Sequence, residues 1–106
     1  MQKTAGWEAN IIKKHGSDKM KHILVVEDDI MLNSGLCYNL ELDKYQAVPA
    51  HDAVTALEKI KSGSFDLIIL DVNLPDGDGF DLCKKIKAIQ DVPVVFLTAR
   101  DLEADV

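Results

Sequence analysis

One run constrains this chain more than any other: Phe65 to Asn73, F-D-L-I-I-L-D-V-N. Its apolar centre, Leu67-Ile68-Ile69-Leu70, stops at a single carboxylate, Asp71. A short apolar run of this kind reads as a strand covered on both faces, as in a parallel sheet. An acid at the carboxyl end of such a strand lies where open α/β sheets bind their ligands. The segment that follows, Leu74-Pro75-Asp76-Gly77-Asp78-Gly79, carries Pro and two Gly and reads as a tight exposed loop. Asp71 is therefore the first candidate for a reactive residue.

The rest of the chain repeats the pattern of apolar run, then polar end, then helix. Ile23-Leu24-Val25-Val26 is a second buried strand and ends in Glu27-Asp28-Asp29. Asp29 can cap the following helix, because Asp is a favoured N-cap. Residues 30–41 place Leu32, Leu36 and Leu40 four apart, a helical stripe. Gly35 inside that helix costs about 1 kcal/mol against Ala, which points to close packing there. Tyr45 to Val48 is a weaker strand followed by Pro49, a residue tolerated at sheet edges, so this strand is expected at an edge. Asp52 opens a second helix with Ala53, Val54, Ala56, Leu57 and Ile60 on one side, and Ser62-Gly63-Ser64 ends it. A third helix starts at Asp78 or Gly79. Phe80, Leu82, Cys83, Ile86 and Ile89 form its apolar face, and Lys84, Lys85 and Lys87 its wet side. Pro93 to Leu97 is a fourth strand ending at Thr98-Ala99, and residues 101–105 could begin another helix. The order β-α-β-α-β-α-β, with short connections, predicts right-handed crossovers. The expected fold is an α/β doubly wound parallel sheet with helices on both faces.

Composition narrows the function. A chain of 106 residues holds one domain, and 47% apolar residues suffice for a core. No run reaches the roughly 18 apolar residues of a membrane span. No charged start precedes an apolar leader, which argues for a cytoplasmic protein. Cys37 and Cys83 fall in predicted helices without metal-like spacing and read as reduced thiols. The net charge of −6 is unevenly spread. Residues 1–21 hold five Lys against two acids, whereas residues 22–106 hold seven Lys and Arg against sixteen acids. The body of the protein is thus a poor binder of nucleic acid by itself. Residues 1–19 differ from the rest, and Gly16-Ser17-Asp18 is a linker-like break before Met20. They read as an N-terminal extension of added or read-through origin, or as a short helix from Glu8 to Lys14 with Trp7, Ile11 and Ile12 as an apolar patch. Residues 20–106 form the domain.

All parallel strands of such a sheet end on one edge. Glu27-Asp28, Asp71 and Thr98 come from three strand ends, so three carboxylates and a hydroxyl are expected to share a shallow pocket. Acids this close repel, and one tends to keep its proton. A divalent cation removes the conflict, and hard oxygen donors with open positions suit Mg²⁺. A carboxylate can attack phosphorus to give an acyl phosphate, with catalysis resting on positioning and electrostatics. Thr98 could donate to a phosphoryl oxygen.

These segments resemble a known family. I-L-V-V-E-D-D, L-I-I-L-D-V-N-L-P-D-G-D-G-F and V-P-V-V-F-L-T-A look like the receiver domain of two-component response regulators, from about Lys21 to Val106. Asp28 and Asp71 lie forty-three positions apart, which also matches the family. The L-P-D-G-D-G-F loop is most similar to that of regulators with a DNA-binding, winged-helix output. The resemblance implies a flavodoxin-like fold with strand order 2-1-3-4-5, an order the general account of such sheets already gives for a receiver. It implies Asp71 as phosphoacceptor, Asp28 and Asp71 as direct Mg²⁺ ligands, and Glu27 as a ligand through water. Asn73 would offer its main-chain carbonyl to the metal. Thr98 would be the switch hydroxyl, with Ala99 beside the phosphoryl group. The donor would be a phosphohistidine on a sensor histidine kinase. The protein would be a phosphorylated switch controlling transcription, not a turnover enzyme.

The match has a gap at its end. The resemblance also implies a fifth strand, a fifth helix and a Lys-Pro pair, and the sequence ends at Val106 before them. No Lys occupies the matching position. The expectations that follow are a receiver fold without those elements, impaired phosphotransfer, and association of two copies, as a homodimer or by exchanging elements. An inert scaffold acting only in protein association is the alternative. An aspartate-nucleophile phosphatase fits poorly, because Glu27-x-Asp29 puts Glu at the nucleophile position. A flavin-binding module fits poorly too, because acids after the first strand would repel the phosphate.

Overall fold

The computed structural model describes residues 20–97. The helix proposed for residues 8–14, the residues Thr98 and Ala99, and the helix beginning near 101 lie outside the described residues.

The elements run β1 (His22–Val26), α1 (Ile30–Leu42), β2 (Gln46–Ala50), α2 (Ala53–Ser62), β3 (Leu67–Asp71), β4 (Asn73–Leu74), β5 (Gly77–Asp78), α3 (Gly79–Ile89) and β6 (Val94–Leu97). The main sheet has the order β2-β1-β3-β6, and every pair is parallel. This is the doubly wound arrangement expected, with the two apolar runs, β1 and β3, side by side at its centre. They are the strands that need cover on both faces.

Side chains alternate across a strand. Leu24, Val26, Ile68 and Leu70 face α2 and α3, and they join Ala56, Ile60, Leu82 and Ile86 in one buried cluster. Fully burying each large apolar side chain contributes about 1.5–3 kcal/mol. None of the α1 leucines belongs to that cluster, which puts α1 on the other face, against β1 and β2. Leu32, Leu36 and Leu40 are half-buried there, as their spacing predicts. Several details differ from expectation. Val54 and Ile89, read as members of the apolar faces of α2 and α3, are 59% and 46% exposed, because each sits at an end of its helix and beyond the reach of the sheet. Gly35 has nothing within 4 Å of where a Cβ would sit, so no close packing explains it among the described residues. Phe80, expected inside, is 51% exposed and leans instead on Phe96, ring centroids 4.8 Å apart.

Pro49 does not end β2; the strand continues to Ala50. A residue without an N–H can sit inside a ladder when the strand is at the edge, and β2 is an edge strand. The loop after β3 is more ordered than an exposed turn. Asn73 pairs with Asp78 and Leu74 with Gly77, making a two-rung antiparallel hairpin closed by Pro75-Asp76.

Candidate functional site

The register of the sheet brings the acids together. Val26 pairs with Leu70, so the next positions, Glu27 and Asp71, emerge at the same rim. Asp71 is itself still paired, with Leu97 of β6. One carboxylate oxygen from each of Glu27, Asp28 and Asp71 lies within 4.8 Å of the others. Asp28 is exposed, while Glu27 and Asp71 are only 2% and 8% exposed. The cluster therefore joins one exposed acid to two sunken ones.

Each sunken acid has a defined set of partners. Glu27 Oε2 accepts the Asp29 N–H at 2.9 Å. Its other oxygen, Oε1, is buried and has no hydrogen-bond partner among the described residues. Asp71 Oδ1 accepts the Asn73 N–H at 3.3 Å. Burial pushes the Glu27 carboxyl up to about 7, and the neighbouring Asp71 and Asp28 carboxylates add to the rise, against the lowering effect of the Asp29 N–H. A buried carboxylate oxygen left without a donor is costly, and proteins relieve such groups with a proton or a cation. An all-oxygen donor set without sulfur or imidazole suits a hard divalent cation. The residues present thus fit a metal of that class.

Local chemistry holds each piece in place. Asp29 caps α1, as read from the sequence: its Oδ1 accepts the Leu32 N–H at 3.1 Å. Asp78 caps α3, accepting the Phe80 N–H at 2.8 Å, so α3 begins at Gly79. Gly79 N–H donates to Val72 O at 2.7 Å. A Cβ at Gly79 would strike the Asp71 carbonyl oxygen and come within 2.8 Å of Val72 Cα. Only glycine lets α3 start this close to the residue that carries the central acid.

The structure brings Glu27, Asp28 and Asp71 together, with Asn73 next to Asp71. Asn73 is exposed and pairs in the hairpin. Thr98 and Ala99 lie outside the described residues. Two contributors escaped the sequence reading. Asn33 is fully buried and shares its two amide hydrogens among three main-chain carbonyls at the rim. Its position, three, four and seven residues before Leu36, Cys37 and Leu40, puts it on the inner face of α1, a signal that was available. Asp76, at the tip of the hairpin, accepts the Ala53 and Val54 N–H groups at 2.8 and 3.1 Å and so caps α2 from outside. That contact spans more than twenty residues, and no local pattern announces it.

Comparison with known proteins gives a consistent result. The model of the response regulator receiver domain family matches residues 23–106. The chain is 43% identical over 81 residues to the swarming motility regulation protein RssB of Serratia marcescens, covering 76% of this chain and 37% of that protein. It is 42% identical over 86 residues to the alkaline phosphatase synthesis transcriptional regulatory protein PhoP of Bacillus subtilis, covering 80% of this chain and 36% of that one. The chain thus spans little more than a third of the length of these relatives. Among solved structures it is similar to the response regulator TrrA of Thermotoga maritima in complex with Mg²⁺-BeF. That match has a TM-score of 0.72 and 34% identity, over 76% of this chain and 70% of TrrA. It is also similar to the non-phosphorylated HemR receiver domain of Leptospira biflexa, with TM-score 0.70 and 44% identity over 74% and 64% of the two chains.

Proposed function

The chain belongs to the response regulator receiver domain family, and from that premise we propose that it accepts a phosphoryl group on Asp71 from a phosphohistidine of a sensor histidine kinase. The observation that carries the reading is the acidic rim: three carboxylate oxygens within 4.8 Å, with a buried Glu27 oxygen that has no partner among the described residues. Glu27, Asp28 and Asp71 would hold Mg²⁺, with the main-chain carbonyl of Asn73 as a further donor. When bound, the cation supplies charge neutralisation for the transferring group.

The chain's own residues do the remaining work. An Asp71 carboxylate oxygen attacks phosphorus. A P–O bond forms, the P–N bond to the donor imidazole breaks, and the ring keeps the electron pair and takes up a proton. The fixed sheet register and the Asn73 N–H hold Asp71 in place for that attack. Thr98 is assigned as the switch hydroxyl that meets the phosphoryl group, with Ala99 beside it. The product is a modified protein and not a released one, so the domain acts as a switch.

For the whole protein we propose a transcriptional regulator, on the strength of the name of PhoP, and a cytoplasmic location, which suits the free thiols of Cys37 and Cys83. Among the described residues no helix is long and apolar enough to cross a membrane. DNA contact is assigned to an output domain, because this chain carries a net charge of −6. Pairing of two copies along β6 is the proposed association, since β6 is an outer strand among the described residues, with Val95 52% exposed. Light scattering checks it.

The deciding experiment is a mass spectrum after incubation with a small phosphoramidate donor, with and without Mg²⁺. The expected result is a gain of one phosphoryl group, dependent on Mg²⁺ and absent in Asp71→Asn. No gain in the wild type, with Mg²⁺ shown by calorimetry to bind, would overturn the phosphoacceptor reading in favour of a scaffold that acts only through association.

A further inference from the structure

We propose that Asn33 is a positioning residue for the acidic pocket, fixing Glu27 through its main-chain carbonyl; this rests on the cation-binding reading given above. Asn33 sits one turn into α1 and is fully buried. Its Nδ2 reaches Val25 O at 3.1 Å, Glu27 O at 3.0 Å and Ala50 O at 3.2 Å. These oxygens belong to the end of β1, the first rim acid, and the end of β2. One amide nitrogen therefore ties together two strand ends and the loop that carries Glu27.

The orientation of the amide is determined by its surroundings. Oδ1 takes the Cys37 Sγ–H at 3.3 Å, and burial pushes the Cys37 thiol up so that it stays a donor. Turning the amide over would set its oxygen against three carbonyls. An apolar side chain of similar volume would fill the same space, flanked on α1 by Leu36 and Leu40. A buried amide here costs desolvation that packing alone does not require. Something other than packing accounts for it.

Glu27 shows what that is. Its N–H donates to Ala50 O at 3.0 Å, and its C=O accepts from Asn33. Its Oε2 accepts the Asp29 N–H, while Asp29 O accepts the Asn33 N–H at 2.9 Å. Glu27, Asp29 and Asn33 thus form a closed ring of contacts that leaves Glu27 Oε1 facing the pocket, without a partner among the described residues. Without the ring, repulsion from Asp71 and Asp28 favours swinging Glu27 out to water. Asn33 opposes that motion before any cation arrives. Groups that orient ligands in this way typically account for about 10- to 100-fold in metal affinity.

The test compares Asn33→Leu with Ile86→Val, a buried substitution remote from the rim, at a temperature where both are folded. Mg²⁺ affinity is read by calorimetry, and exchange of the Asp29 amide by NMR in the metal-free protein. Asn33→Leu should weaken Mg²⁺ by about 10-fold or more and speed Asp29 exchange, and Ile86→Val should do neither. Should Asn33→Leu fail to fold, Asn33→Ser, which keeps one donor, takes its place with a smaller shift in the same direction. An Asn33 variant that binds Mg²⁺ like the wild type, with Asp29 exchange unchanged, overturns the proposal. A wild type that does not bind Mg²⁺ sinks the cation reading instead, and Asp29 exchange alone then decides whether Asn33 positions Glu27.

Discussion

The two loops that build the acidic rim are held by different means. The loop after β1 is held by a side chain: Asn33 reaches across from α1 to the Glu27 carbonyl. The loop after β3 is held by the main chain: Gly79 donates to Val72, and the β4–β5 hairpin closes on itself. A side-chain clamp can be loosened by degrees. A backbone contact at van der Waals limits has no such range, because nothing nearby can yield. Substitutions at the Asn33 clamp should therefore grade the pocket, and substitutions at the Gly79 backbone contact should break it.

The largest effect follows at Gly79. In Gly79→Ala the new methyl meets the Asp71 carbonyl and Val72 Cα, both main-chain groups. Either α3 or the end of β3 must shift. The expected loss is about 3 kcal/mol in urea unfolding, at the upper end for overpacking, and Mg²⁺ binding should go with it. A Gly79→Ala protein of normal stability with an intact pocket would contradict the backbone-clamp half of the comparison.

Next comes pH, which acts on the pocket through Glu27 of the first loop. The Glu27 carboxyl titrates at about 7 in the folded metal-free protein, against an ordinary 4.5. Below 4.5 both folded and unfolded chains carry the proton. Between 4.5 and 7 the unfolded chain ionises first, so it gains relative to the folded one. Stability should fall across that window, by on the order of 3 kcal/mol, and level off above it. Glu27→Gln should flatten the curve. Mg²⁺ competes with the proton, so the rise in Tm on adding Mg²⁺ should be greater at pH 8 than at pH 6. Equal Tm shifts at the two pH values would mean that Glu27 takes no part.

The difference between the loops also sets what could be read from residues alone. Glu27, Asp28 and Asp71 were legible because each follows an apolar run that must be a buried strand, and parallel strands share an exit edge. The sheet was legible for the same reason. Asn33 was not, because a polar residue in an amphipathic helix reads as solvent-facing, although its spacing from Leu36 and Leu40 says otherwise. The hairpin was missed because two rungs carry no alternation to detect. Pro49 correctly marked β2 as an edge strand, but the strand runs on to Ala50, because proline gives up only an N–H that an edge strand can leave unpaired.

Asp76 offers a smaller perturbation of the second loop. Asp76→Ala removes the acceptor for the Ala53 and Val54 N–H groups but leaves Asp52, which accepts the Thr55 N–H at 2.7 Å. The loss should be about 1 kcal/mol, as for a helix cap. If the hairpin is held mainly by its own main chain, Mg²⁺ affinity should scarcely change. A large drop in affinity would instead make Asp76 part of what holds the second loop.

The smallest effect provides the control for both halves. Lys44 ends α1 at the far side from the rim, with φ of 74°. The Lys44 and Tyr45 N–H groups donate to Glu41 O and Leu40 O at 3.1 and 3.0 Å. That pair of bonds makes a helix terminus in which the left-handed position favours glycine. A side chain there costs about 1 kcal/mol, and Gly recovers it minus the extra freedom it gives the unfolded chain. Lys44→Gly should stabilise the protein by roughly half a kcal/mol on that balance. It strengthens α1 without touching Asn33 or Glu27, so Mg²⁺ affinity and Asp29 exchange should stay as in the wild type. If stabilising the distant end of α1 also tightened the pocket, the clamp on the first loop would belong to the helix as a whole and not to the Asn33 amide.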